Sequence, residues 1–354
     1  MIKIPGLIDV HVHLREPGAT HKEDWKSGTS AALAGGITAV LVMPNTEPPI
    51  VDGKTFSLSL SAAKKKSYCD YAQFVGATSD NFESLLRLSK YSVGMKMYLD
   101  QTYGPLQLEK LYLWLKHFEN WPKKVPIAVH AEGRTLAAVI LMSYLYDRSL
   151  HVCHVSTREE ILLIKYAKNR GLKITCEVTP HHLFLSREDI PSIGPGRSEV
   201  RPRLGSNYDR EALWENLNVI DCFATDHAPH TLSEKDSVNP PPGFPGLETA
   251  LPLLCNAVKE GRLSMEDIVM RMYMNPRKVF NLTAQPDTWV EIDEREKWEI
   301  GAKNLFTRCA WTPFGGIHVI GKVKRVILRG QEVFQDGQVL ASPGIGLNLR
   351  PEYK

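Results

Sequence analysis

No run of apolar residues in this 354-residue sequence reaches the roughly 18 to 20 positions that a membrane-crossing helix requires. Nor does one sign of charge prevail. With 43 lysines and arginines against 40 aspartates and glutamates, the formal net charge of +3 leaves no electrostatic footprint for nucleic acid or a membrane surface. The six cysteines are scattered without short paired spacings, and no charged-then-apolar leader precedes Pro5. Both absences lead to the expectation of reduced thiols in a cytoplasmic protein. Internal repeats and low-complexity tracts are also missing, although Pro240 to Gly246, with four prolines, reads as a stiff loop.

What is present is enough apolar material, 43% of the residues, for a large core. Short apolar runs recur at Leu7–Val12, Ile37–Met43, Tyr71–Ala77, Met95–Leu99, Ile127–Val129, Leu150–Val155, Ile174–Val178 and Cys222–Thr225. Amphipathic stretches separate them, and eight strands alternating with helices predict an α/β fold, a (β/α)8 TIM barrel spanning 1–282. Two of the intervening helices carry start signals. One is expected over Thr20 to Leu33, capped at Thr20 with Glu23 three residues on; the other opens at Thr157, followed by Glu160, and stops at Gly171. After Asn281 the pattern turns to alternating strands at Trp289–Ile292 and Val323–Leu328, with Asp336-Gly337 as a hairpin turn, so 283–354 is expected to form a small β-rich C-terminal unit. A strand starts within the first few residues, as expected for a piece of a longer polypeptide.

Polar residues fall where an apolar core would reject them. His11 and His13 close the first run; Asn45, His130, His154, Glu177 and Asp226 follow the ends of later ones, and Lys96 lies inside a strand. The carboxyl ends of barrel strands converge on one face, where active sites are built. A single histidine at such an end is more often a hydrogen-bonded rim residue. Four histidines and an aspartate on the same face are the donor set of a metal site, and imidazole with carboxylate suits zinc, with manganese or iron as the alternatives. The number of groups favours two ions. Lys96, in Gly94-Met95-Lys96-Met97-Tyr98, is the odd member. Loss of hydration inside an apolar strand favours the neutral amine, a nucleophile that carbon dioxide converts to a carbamate, giving an anionic bridge between two cations.

Taken together, His11-Val12-His13-Leu14-Arg15-Glu16-Pro17-Gly18, Met43-Pro44-Asn45-Thr46, Gly94-Met95-Lys96, Val129-His130-Ala131-Glu132, Cys153-His154-Val155, Glu177-Val178-Thr179-Pro180-His181-His182-Leu183 and Asp226-His227-Ala228-Pro229-His230 resemble the dihydroorotases of the amidohydrolase superfamily. The resemblance is strongest to the form that is a domain of the animal multifunctional protein carrying carbamoyl phosphate synthetase and aspartate transcarbamylase. It covers essentially the whole chain. It implies one zinc on His11, His13, Lys96 and Asp226 and a second on Lys96, His130 and His154, with carbamylated Lys96 and a hydroxide between them. It implies that Arg15, Asn45 and His230 hold the substrate α-carboxylate, that Arg201 and Pro242 line the pyrimidine ring, and that Cys153 and Glu177 contribute to a third zinc. Asp226 is then the catalytic acid-base group. The implied reaction is the reversible cyclisation of N-carbamoyl-L-aspartate to L-dihydroorotate in pyrimidine biosynthesis, by a homodimer within a larger multifunctional polypeptide.

Where the family's substrate loop has threonine and phenylalanine, this chain has Thr102 and Tyr103, followed by Gly104-Pro105. Arg15 separates the reading from hydantoinases and dihydropyrimidinases, whose rings lack the carboxylate that a guanidinium grips. A catalytically inactive assembly domain is the alternative from another class.

Overall fold

The computed structural model describes residues 1–353, apart from the side chain of Asn304. Lys354, the last residue of the expected β unit, lies outside the described residues. Among the described residues fourteen strands run in chain order: β1 Ile2–Pro5, β2 Leu7–Val12, β3 Ile37–Val42, β4 Asp70–Gln73, β5 Val75–Gly76, β6 Met95–Tyr98, β7 Ile127–His130, β8 Leu150–Val152, β9 Ile174–Val178, β10 Cys222–Phe223, β11 Trp289–Glu299, β12 His318–Leu328, β13 Gln331–Gln335 and β14 Gln338–Val339.

Each apolar run of the first 225 residues contains a parallel strand. β2 to β4 form one sheet and β5 to β10 another, in sequence order. The run Tyr71–Ala77 is divided between β4 and β5, which carries the chain from one sheet to the other. Closure comes from the chain after β10: His227 bridges Val12 in parallel, and the His13 N–H donates to the His227 carbonyl at 2.8 Å. Both faces are apolar, as a parallel barrel demands. Ile8, Val10, Ala39, Leu41, Ala72 and Phe74 pack in one buried cluster, while Leu7, Val12, Ile37, Val40 and Val42 pack in another with residues of the surrounding helices.

The helix at Arg158–Asn169 begins as its sequence indicates, with Thr157 accepting from the Glu160 N–H and Glu160 reaching back to Thr157. The other expected start is corrected. That helix covers Trp25–Ala34, and its N-cap is Asp24, paired reciprocally with Ser27, rather than Thr20. Glu23 cannot serve a cap at Thr20, because it is buried and its carboxylate accepts from Thr307 Oγ1 and the Arg308 N–H.

Beyond the barrel, an antiparallel sheet orders as β1-β11-β12-β13-β14. Asp336 and Gly337 both have positive φ, 44° and 82°, and join β13 to β14 as the turn signal requires. The sheet is not drawn from 283–354 alone. Ile2–Pro5 is its edge strand, in register with Trp289–Ile292, so the polypeptide begins in the β unit and crosses at Gly6 into the barrel. A side chain at Gly6 would meet Thr38 and Thr288, which is why the crossing passes through glycine.

Candidate metal centre and substrate pocket

The residues that follow the strands meet at one end of the barrel. His11 and His13 leave β2 where its pairing with β3 shifts register between Asp9 and Val12, and their rings lie 5.2 Å apart. Their Nε2 atoms stand 3.2 Å and 3.0 Å from Oδ1 of Asp226. All three residues are buried, with ligand atoms close enough to share one ion. Across from them, His130 Nδ1 and His154 Nε2 are 3.0 Å apart. Lys96 is fully buried, and among the described residues its ammonium has one hydrogen-bond partner, the Cys153 sulfur at 2.8 Å.

The backbone stores strain at this end. Arg15, His154 and Asp226 adopt φ of 58°, 36° and 47°, a region that costs a residue with a side chain about 1 to 3 kcal/mol. Three such residues share this end of the barrel, and the packed structure around them holds them there.

Burial drives His13 down to about 4, against the pull of Asp226, and holds His154 well below the ordinary imidazole range, helped by the neighbouring His130 and Lys96. Burial would raise the Asp226 carboxyl, yet His11 and His13 keep it well below its usual range. His13 and His154 are therefore neutral, the protonation state in which an imidazole ligates metal, while against its burial the Glu177 and Asp226 carboxylates raise His11 to about 10. Nδ1 of His154 is buried with no hydrogen-bond partner among the described residues. An orphaned imidazole nitrogen beside His130 fits a cationic centre and does not fit an apolar core.

Glu177 sits beneath the centre. One oxygen takes Nδ1 of His11, and the other takes Nε2 of His151 at 2.9 Å. Burial opposes its ionisation, but these two imidazoles hold the carboxyl below its usual range. Tying Nδ1 leaves Nε2 of His11 as the ligating atom, the arrangement by which an outer carboxylate orients a metal-binding histidine. His11, Cys153 and Glu177 also form a second buried group spaced for an ion.

Above the centre lies a pocket lined by Arg15, Asn45, Tyr98, Thr102, Tyr103, Arg201, Pro242 and Gly243, with His11, His13, His130, His154 and Asp226 as its floor. Arg15 is buried; its Nε donates to the Pro229 carbonyl at 3.1 Å, and among the described residues its Nη1 has no partner. The Tyr98 hydroxyl is likewise unpaired. Asn45 is already engaged, with Oδ1 2.6 Å from His13 Nδ1 and Nδ2 donating to the Tyr103 carbonyl at 3.2 Å. Arg201 pairs with Glu199 at 2.7 Å. His230 lies behind Arg15, with Nε2 3.0 Å from Arg15 Nη2.

Sequence reasoning passed over His151, Tyr98 and Lys22. His151 carried a signal, an imidazole inside a buried strand, but its partner Glu177 is on a different strand. Lys22 was absorbed into the misplaced helix start, and Tyr98 looked like ordinary strand material.

The amidohydrolase family matches residues 2–285. The chain is 56% identical over 351 residues to the multifunctional protein pyr1-3 of Dictyostelium discoideum, covering 99% of this chain but only 16% of that protein. It is 38% identical over 353 residues to the dihydroorotase of Pyrococcus furiosus, covering 96% of this chain and 83% of that enzyme. Among solved structures, an L-hydantoinase (dihydropyrimidinase) from Arthrobacter aurescens superposes with a TM-score of 0.94 over 99% of this chain and 89% of its own, at 24% identity, a likeness of fold. An inactive dihydroorotase-like domain of the Chaetomium thermophilum CAD-like multifunctional protein matches at TM-score 0.85 and 30% identity, over 98% of this chain and 99% of that one.

Proposed function

We propose that this chain, which belongs to the amidohydrolase family, interconverts N-carbamoyl-L-aspartate and L-dihydroorotate in pyrimidine biosynthesis. The observation that carries the reading is Arg15. A buried guanidinium with a free Nη1, facing a pocket floored by imidazoles and Asp226, calls for a carboxylate beside a hydrolysable bond. Dihydroorotate has its ring carboxylate next to the cyclic amide; hydantoins and dihydropyrimidines do not.

His11, His13 and Asp226 would hold one zinc ion and His130 and His154 another, with Lys96 as a carbamate between them. Cys153 and Glu177, with His11, are the set for a third. Bound zinc polarises a carbonyl and lowers the pKa of water to about 7. Asp226 is the group to hold the proton taken from water and return it to the departing ring nitrogen, since the described hydrogen bonds of its carboxylate engage Oδ1 and leave Oδ2 for this traffic. Arg15 and His230 fix the substrate by its carboxylate, while Arg201 and Pro242 flank the ring. Thr102 and Tyr103 cover the pocket and keep water out.

The chain is further proposed to be one enzymatic piece of a cytoplasmic multifunctional polypeptide, in line with its 16% share of the pyr1-3 protein. No helix among the described residues is long and apolar enough to cross a membrane. Leu141, Tyr144 and Leu145 stand exposed along one face of the Gly133–Tyr146 helix, which supports pairing into a homodimer. An inactive assembly role is the competing reading. Hydrolysis of dihydroorotate by zinc-loaded protein, beside a hydantoin without the carboxylate, separates the three: turnover of the first alone supports the proposal, turnover of the hydantoin indicates the hydantoinase reading, and turnover of neither leaves assembly.

A further inference from the structure

Lys22 does not line the pocket, yet its ammonium is buried against two residues that matter there. Nζ lies 3.2 Å from Nδ1 of His230, 3.2 Å from the hydroxyl of Tyr103 and 3.0 Å from Oε1 of Glu234. It also sits 4.9 Å from the centre of the Tyr103 ring, which stacks edge-on against His230 at 5.0 Å. Glu234 neutralises part of the charge.

An ammonium has only donors, so the nitrogen it faces must present a lone pair. That requirement places the His230 proton on Nε2, where it meets the Pro242 carbonyl at 3.1 Å and Nη2 of Arg15 at 3.0 Å. Burial, with the charges of Arg15 and Lys22, keeps His230 far below the ordinary imidazole range, so it stays neutral and the choice of tautomer is a real one. With the proton on Nε2, His230 donates to the Pro242 carbonyl and offers no lone pair to Arg15, so Nη2 of Arg15 is left for an anionic oxygen. With the proton on Nδ1, Nε2 would accept from Arg15, and the pair would close on itself.

We infer that Lys22 is a positioning residue for the carboxylate site: by facing Nδ1 it fixes His230 as the Nε2–H tautomer, so that His230 donates to the Pro242 carbonyl and leaves the Arg15 guanidinium to offer its donors to substrate. Through the Tyr103 hydroxyl the same ammonium ties the 102–103 loop to that site. The carboxylate role itself rests on the function proposed above; the tautomer does not.

The test reads ring-nitrogen shifts of His230 by 15N NMR in substrate-free protein, assigned by loss of the signal in His230→Gln. The expected result is an Nε2–H tautomer in wild type and in Lys22→Arg, shifted to Nδ1–H in Lys22→Met, and an unchanged tautomer in Tyr103→Phe. In the same series, KM for dihydroorotate is expected to rise about tenfold or more in Lys22→Met with a smaller change in kcat, and to recover in Lys22→Arg. An Nδ1–H tautomer in wild type overturns the inference without recourse to any variant, and so does an unchanged tautomer in folded Lys22→Met. A tautomer that switches as expected in protein that does not turn over dihydroorotate leaves the inference standing and removes the function.

Discussion

Glu177 holds Nδ1 of His11, and the consequence is that Nε2 of His11 faces Oδ1 of Asp226 at 3.2 Å. The buried Glu177 carboxylate is thus divided between His11 and His151, and in the proposed site it orients His11. Glu177→Gln keeps the shape and loses the charge that favours a fixed tautomer. Zinc affinity, measured by competition with a chromophoric chelator, is expected to fall about 10- to 100-fold. Equal affinity in the two proteins would leave Glu177 with packing alone.

Arg15→Met removes the guanidinium while filling its volume. The account expects kcat/KM for dihydroorotate to drop about a hundredfold or more, the loss of charge-assisted hydrogen bonds to a carboxylate, with zinc content per chain unchanged. Loss of zinc together with activity would make Arg15 a structural residue, and retention of activity would remove its role.

Lys96 offers a direct mass signature. Its ammonium lies 2.8 Å from Cys153 Sγ with no carboxylate partner among the described residues, a costly state for a fully buried cation. Native mass spectrometry at neutral pH is expected to find an added carboxyl group on Lys96 that acid removes, and Lys96→Ala is expected to lack it and to bind fewer zinc ions. An unmodified lysine in zinc-replete, active protein would contradict the bridge.

Lys235 supplies a pH prediction away from the metal ligands. Its fully buried ammonium donates to the carbonyls of Glu199 and Pro241 at 2.7 Å and 2.9 Å, anchoring the loop that carries Pro242. Burial lowers it from 10.5 to about 7. Between those values the unfolded chain holds a proton that the folded chain has released, so stability rises with pH across that window, by up to about 1.4 kcal/mol per unit. Below about pH 7 the folded state carries the full cost of the buried charge. Urea unfolding at several pH values between 7 and 10 should show wild type gaining on Lys235→Met as pH rises; parallel curves would refute the assignment.

Much of this was readable in the residues. Parallel barrel strands are buried on both faces, so their apolar runs stand out, and a histidine pair, a lysine within Met95–Tyr98 or an aspartate just past Phe223 is conspicuous against them. The Thr157 cap was legible because both of its partners lie within one turn. The failures share a cause: contacts made across long stretches of sequence. Thr20 and Glu23 match a helix start, but Thr307 and Arg308 draw Glu23 inward, and Ile2–Pro5 joins a sheet whose next strand lies nearly 290 residues on. Likewise the importance of His151 depends on Glu177, and that of Lys22 on His230 and Tyr103, and no local pattern marks such pairs. The positive φ of Arg15, His154 and Asp226 was invisible too, since non-glycine residues there are held by their surroundings.

Whether the assembled site is catalytic comes down to L-dihydroorotate itself. Zinc-replete protein is mixed with it, formation of N-carbamoyl-L-aspartate is followed, and the assay is repeated after chelation and after zinc is restored. Turnover that disappears with the metal and returns with it is the expected result; no turnover from folded protein with both zinc sites filled would contradict the enzyme and leave an assembly domain in its place.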